Sequence, residues 1–228
     1  MGDKKIFGNP PSAVIPALLS VLMWSTVASG FKPGLELSAV ELLLFLGARV
    51  SWLIFFCYAA ATGQLFLPTE DRKIACLLGL INPTAYYLIL FEAYDRLPAH
   101  IAQPINYTWA ITLALLAVPV LGQTLSKRTF IGILISYLGV VLLVISTPQE
   151  GGHIDAFGIT LALVSTVLWA GYWLLNTRSN AQPASVMFWS FTVALPLVAA
   201  ICWYGPGFPT IDSTALGFAV WIGAIEMG

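Results

Sequence analysis

The sequence predicts an all-α polytopic membrane protein, built as an inverted repeat of five-helix units. Three observations predict it. Of the 228 residues, 58% are hydrophobic and only 9% charged, whereas soluble domains carry about a quarter charged residues. The apolar residues gather into eight segments, each near the ~20 residues a helix needs to cross a bilayer. Part of the first segment recurs in the sixth.

The segments run roughly 13–31, 38–61, 74–94, 98–121, 129–147, 156–176, 182–204 and 212–228. Short connectors carry nearly all the charge. "PTEDRK" separates the second and third, "YDRLPA" the third and fourth, "LSKRTF" the fourth and fifth, and "TPQEGGHIDAFG" the fifth and sixth. "MGDKK" before an apolar run imitates a secretory signal, but further spans follow it rather than a cleavage site and a soluble domain. Cys57, Cys76 and Cys202 lie in or beside apolar runs without C-x-x-C spacing, so they read as small core hydrophobes.

Charge orients the spans. With the N-terminus in the cytoplasm, the inner ends hold Lys4, Lys5, Arg72, Lys73, Lys127, Arg128 and Arg178, and the outer ends only Lys32 and Arg96. Cytoplasmic ends collect Lys and Arg in this way. The expected localisation is therefore a cell membrane of bacterial inner-membrane type, multi-pass, with residues 1–12 as a cytoplasmic tail. No basic block suits nucleic acid.

"ALLSVLMWS" (Ala17 to Ser25) resembles "ALVSTVLWA" (Ala162 to Ala170), and "GLIN" (Gly79 to Asn82) faces "GAIE" (Gly223 to Glu226) at nearly the same offset. Repeats at a fixed offset mark a duplicated unit. Five spans per unit is odd, so the second unit enters from the opposite side. Such inverted repeats are typical of secondary transporters, with the substrate at the midplane. The first unit is expected over 13–148. The second, 149–228, is expected to stop inside its third helix, with about eight of ten helices present.

These residues resemble the EamA-type carriers of the drug/metabolite transporter superfamily. The resemblance rests on Trp24 with Lys32 eight residues later, on Arg49 in the second helix, and on "VLGQTLSKRTFIGILISYLGVVLL". There Gln123 stands where the family's Leu-Gly-Glu motif has Glu. The resemblance implies ten helices in two inverted halves around a central cavity. It implies transport, often export, of small metabolites such as amino acids. "INYTWAI" is similar to the N-Y-x-W stretch of the branch that exports aromatic amino acids.

Helical spacing sorts faces, since i, i+3, i+4 and i+7 align. Ser20, Trp24 and Phe31 share a stripe in the first helix, and Ser165, Trp169 and Trp173 in the sixth, with Asn176 close by. Two tryptophans at mid-membrane need a partner or water for their N–H groups, which a wet cavity supplies. In the fourth helix His100, Gln103, Pro104 and Tyr107 share a face that Asn106 extends. In the third, Asn82 and Tyr86 share one, with Tyr87 adjacent. Asn82 pairs by repeat with Glu226. The expected substrate-binding set is Trp24, Asn82, Tyr86, Gln103, Asn106, Tyr107, Trp169, Trp173 and Glu226.

Three charges are expected to be structural or gating. Glu92 stands four residues before Arg96, a helical ion-pair spacing. Lys32 reaches the outer water from its helix end. Arg49 lies midway along the second helix, where a charge is costly unless paired, and is expected to meet Glu226 or a substrate carboxylate. Ion coupling through Glu226 stays open.

The function expected is a secondary transporter moving amino acids or related amphipathic solutes, in export, by alternating access. No cofactor or metal is expected, and its partners would be a small molecule and the bilayer, as a monomer or weak homodimer. No P-loop is present. A non-transporting receptor or assembly subunit is the alternative. A membrane-embedded enzyme fits less well, because His100 and His153 lack ligand spacing.

Overall fold

The computed structural model describes residues 11–146 and 155–227. The basic residues Lys4 and Lys5, and the connector with His153, lie outside these. Within them the chain is helical, without strands, and passes back and forth in eight helical segments. Six crossings are long and apolar enough to span a bilayer: Val40–Ala61, Thr69–Arg96, Ala99–Leu121, Lys127–Ser146, Ala156–Asn176 and Pro183–Tyr204. The other two are the broken first helix and the shorter Ser213–Glu226.

The breaks follow from local chemistry. The first crossing divides into α1 (Pro11–Ser25) and α2 (Val27–Leu37). At the joint the Ser25 and Thr26 hydroxyls donate back to the Leu22 and Met23 carbonyls, each at 2.7 Å, competing with the helix ladder. Then α3 (Val40–Ala61) returns. The third crossing comprises α4 (Thr69–Gly79), a wide-turned π-type stretch (Leu80–Ala85) and α5 (Tyr86–Arg96). Asn82 there is extended, φ −134° and ψ 120°, because the ring of Pro83 disfavours helical backbone before it. Pro83 also lacks the N–H that would reach Gly79, and the Thr84 hydroxyl donates to that carbonyl instead, at 2.8 Å.

The fourth crossing is α6 (Ala99–Tyr107) and α7 (Trp109–Leu121), ended by Gly122 at φ 67°, a left-handed cap that glycine adopts without penalty. Then come α8 (Lys127–Ser146), α9 (Ala156–Asn176), α10 (Pro183–Tyr204) and α11 (Ser213–Trp221), which runs into a second π-type stretch, Ile222–Glu226. Asp155 and Asp212 cap α9 and α11 by accepting from the Gly158 and Thr214 amides at 2.9 and 2.8 Å.

Lipid offers no hydrophobic drive between helices, so small residues and polar contacts bring them together. Ser51 of α3 donates to the Gly223 carbonyl at 2.6 Å, and Ser190 of α10 to the Ala75 carbonyl at 3.0 Å. A Cβ on Gly223 would run into the Gly47 carbonyl, and one on Gly79 into that of Ser190. The two glycines stand 144 positions apart, each beginning the stretch GLIN or GAIE. By contrast, α8 is almost wholly on the outside, with only Ile133 buried.

Phe31 departs from the expected stripe. It is fully buried, against Phe91 at 4.7 Å and Tyr94 at 5.3 Å between ring centroids. The joint at Thr26 takes α2 off the helical phase of α1.

Candidate functional site

A cavity of about 680 Å³ opens between α1, α3, α9, α10 and the two π-type stretches. Its walls hold Trp24 from α1, Asn82 from the first π-type stretch, Trp169 and Trp173 from α9, and Glu226 from the second. It runs toward Gln64, Asn176 and Gln182, where α3 and α9 end and α10 begins. At the opposite end the bundle is closed by buried Phe31, Tyr87, Phe91, Tyr94 and Leu97.

The aromatic wall is continuous. Trp169 stacks on Tyr86 at 4.6 Å and on Tyr172 at 5.4 Å, and meets Trp173 edge-on at 6.2 Å. Trp109 stacks behind Trp173 at 6.5 Å. Tyr172 is held by its hydroxyl, 3.1 Å from the Met187 sulfur. The polar groups are fewer. Asn82 is 3% exposed, and neither its Oδ1 nor Oε2 of Glu226 has a hydrogen-bond partner. The Glu226 backbone carbonyl accepts from the Tyr87 hydroxyl at 3.2 Å.

Five residues expected in the binding set therefore face one cavity: Trp24, Asn82, Trp169, Trp173 and Glu226. The other four do not line it. Tyr86 and Asn106 are buried behind the wall, within 3.4 Å of each other, and Asn106 donates to Ser165 at 3.0 Å. That network ties α5, α6 and α9. The Tyr107 hydroxyl donates to the Trp24 backbone carbonyl at 2.7 Å and accepts from Gln103 at 3.1 Å, so both brace α1 against α6. The spacing rule had put Gln103 and Tyr107 on one face correctly, but that face meets α1 rather than open space.

The charges separate in the same way. Arg49 does not reach Glu226. It projects from the face of α3 opposite Tyr58, over the Phe45 ring at 5.7 Å, in a separate groove with Leu195 and Pro196. Lys32 donates to the Tyr94 and Asp95 carbonyls at 3.0 and 3.2 Å, fastening α2 to the end of α5. Glu92 pairs with Arg96 at 2.7 Å, and Arg96 also approaches Asp155 at 3.8 Å.

Tyr172, Met187 and Gln64 also line the cavity, though sequence reasoning passed over them. Tyr172 was within reach, three residues after Trp169 on the same face. Gln64 lies in a connector, where helical spacing says nothing. Among the described residues no cluster of His, Cys, Asp and Glu could hold a metal ion.

The chain resembles known proteins along most of its length. It is 29% identical over 208 residues to the uncharacterized transporter YvbV of Bacillus subtilis (strain 168), covering 90% of this chain and 67% of that one. A protein solved by crystallography superposes with a TM-score of 0.70 at 21% identity, over 96% of this chain and 76% of the other, which speaks for the fold. The sequence pattern of the EamA-like transporter family matches residues 11–145, more than half of the chain. That match and six membrane-spanning helices place the chain in the EamA-like transporter family, as a multi-pass membrane transporter.

Proposed function

We propose that the chain carries small amphipathic metabolites, amino acids or related solutes, through the 680 Å³ cavity by alternating access, in the direction of export. The observation that carries the reading is one cavity walled by residues from both of the units we assign. Trp24 and Asn82 come from the first, and Trp169 and Glu226 from the second. Carriers with inverted repeats bind at such a midplane junction, often where helices are interrupted. Both π-type stretches are interruptions of this kind, and irregular backbone at membrane depth is tolerated where it lines a cavity.

The exchange of contacts between halves supports the repeat. The second crossing of each unit gives a serine hydroxyl to the third crossing of the other, Ser51 to Gly223 and Ser190 to Ala75. We assign 13–148 and 149–228 to the two units. With an N-terminus in the cytoplasm of a bacterial inner membrane, the end near Gln64, Asn176 and Gln182 is the cytoplasmic one. The aromatic plug of Phe31, Phe91 and Tyr94 is then the closed outer gate. A solute enters from the cytoplasm, settles beside Trp169 and Glu226, and leaves when the plug separates and the inner end closes. Lys32, tying α2 to α5 beside the plug, is placed to hold the gate shut. The carrier works as a monomer or weak homodimer.

Efflux and uptake in proteoliposomes, screened against amino acids and related amphipathic solutes with and without a pH gradient, test the reading. The expected result is saturable movement of at least one solute, lost in Trp169→Ala. Absence of movement for every solute favours the alternative, a receptor or assembly subunit.

A further inference from the structure

We infer that the cavity takes the protonated amine of an organic cation, seated between Glu226 and Asn82, with the solute's apolar body against Trp24, Trp169 and Tyr172. The inference rests on the reading of this cavity as a carrier site and names the charge class of its solute.

The first ground is hydrogen bonding. Oδ1 of Asn82 and Oε2 of Glu226 are buried without partners and line the same cavity. Both oxygens accept, and a carboxylate has no donor to offer. A buried acceptor left unpaired costs about 1–3 kcal/mol, more when charged. A solute that brings donors offsets that cost, and an ammonium brings three.

The second ground is charge. Among the described residues, Glu226 is the one acidic residue lining the cavity, and no Lys, Arg or His stands with it. Arg49 is directed into the groove by Phe45 and Lys32 onto the α5 carbonyls. An anionic group entering the cavity therefore meets no countercharge. It finds neutral donors alone, such as the amides of Gln64, Asn176 and Gln182 near the mouth.

The third ground is the wall itself. Aromatic ring faces attract ammonium groups, tryptophan most strongly, and Trp24, Trp169 and Trp173 all contribute to the lining. The same surface buries a flat apolar body. An amine without a carboxylate satisfies all three features. A zwitterionic amino acid satisfies two and leaves its carboxylate poorly matched, and an organic acid satisfies only the last.

The test uses the whole chain in lipid nanodiscs and four probes of one shape: phenethylamine, phenylalanine, phenylpropionate and neutral phenylethanol. Binding is measured by titration calorimetry at neutral pH. Phenethylamine is expected to bind at least about tenfold tighter than phenylpropionate, with phenylalanine between, as a charge-assisted hydrogen bond of ~1.5 kcal/mol or more requires. In Glu226→Gln the preference falls below about twofold, while an unchanged thermal-unfolding midpoint shows that the variant is folded. Equal or tighter binding of phenylpropionate by the unmodified chain overturns the inference and leaves the carrier reading standing. A preference that survives in Glu226→Gln overturns it likewise. Binding of none of the four removes the carrier site and the inference together.

Discussion

Replacing Gly223 with Ala should loosen the junction between α3 and the end of the eighth crossing. A Cβ there would run into the Gly47 carbonyl and lie 2.7 Å from the Val50 Cβ. Ordinary carbon contacts are about 3.5–4.0 Å, so the two backbones must part by roughly 1 Å. Overpacking of this kind costs about 1–3 kcal/mol. Separation also stretches the 2.6 Å bond from Ser51 to the Gly223 carbonyl, and interhelical hydrogen bonds in membranes are worth about 0.6 to 2 kcal/mol. The total is about 2–5 kcal/mol. The assay is thermal unfolding in mild detergent, followed by monodispersity on gel filtration. At about 2–4 °C per kcal/mol for a chain of this size, the midpoint should fall by at least ~4 °C. The control is Gly139→Ala in α8, where nothing lies within 4 Å of the new Cβ. Alanine there should leave the midpoint unchanged or raise it slightly, because glycine is the weaker helix former by about 1 kcal/mol. If Gly223→Ala is as stable as Gly139→Ala, the close approach of these helices is not what the structure describes.

Other outcomes follow from the same geometry. Gly79→Ala should destabilise comparably, since its Cβ would meet the Ser190 carbonyl; the same thermal assay reads it. Arg49→Leu should leave transport within about twofold, because Arg49 lies outside the cavity, and should insert more readily, since a mid-membrane Arg costs about 2.5–3.5 kcal/mol on insertion scales. Loss of counterflow in that variant would return Arg49 to the transport path. Phe31→Ala should open the outer plug and lower stability by about 3–5 kcal/mol, the usual cost of a buried Phe; a cysteine at Tyr94 should then react with an impermeant maleimide added from outside. Lys32→Met should shift labelling in the same direction, and Lys32→Arg much less, because only the former leaves the Tyr94 and Asp95 carbonyls without a donor.

Local signals in the sequence read well. The Glu92–Arg96 pair was visible because helix geometry alone brings those positions together. The break at Asn82 has an equally local cause, because proline acts on its own neighbour. Asn82 and Glu226 were singled out by the repeat, and both line the cavity. The expected meeting of Arg49 with Glu226 is absent among the described contacts, for a different reason. Its depth could be counted along α3, but the direction of its side chain depends on how α3 is rotated against α10. Asn106 and Tyr86 looked equally suited to a substrate, yet Ser165, 59 positions from Asn106, takes one of the Asn106 bonds. No spacing rule reaches that far.

By itself the sequence determined the all-helical, multi-pass class, the apolar segments and the residues that disturb their helices. Each of these is a property of a residue and its near neighbours: hydropathy over about 20 positions, a proline ring, a hydroxyl beside its own carbonyl. Only the tertiary structure decided which polar side chains share the cavity and which are spent on other helices. Inside a membrane the lipid and the bundle interior are equally apolar, so hydropathy does not tell an inward face from an outward one. Small residues such as Gly47, Gly79 and Gly223, and single hydroxyls such as Ser51 and Ser190, set each helix's rotation by what they allow to approach. The wall of Trp169, Tyr172, Asn82 and Glu226 exists because those rotations are fixed together.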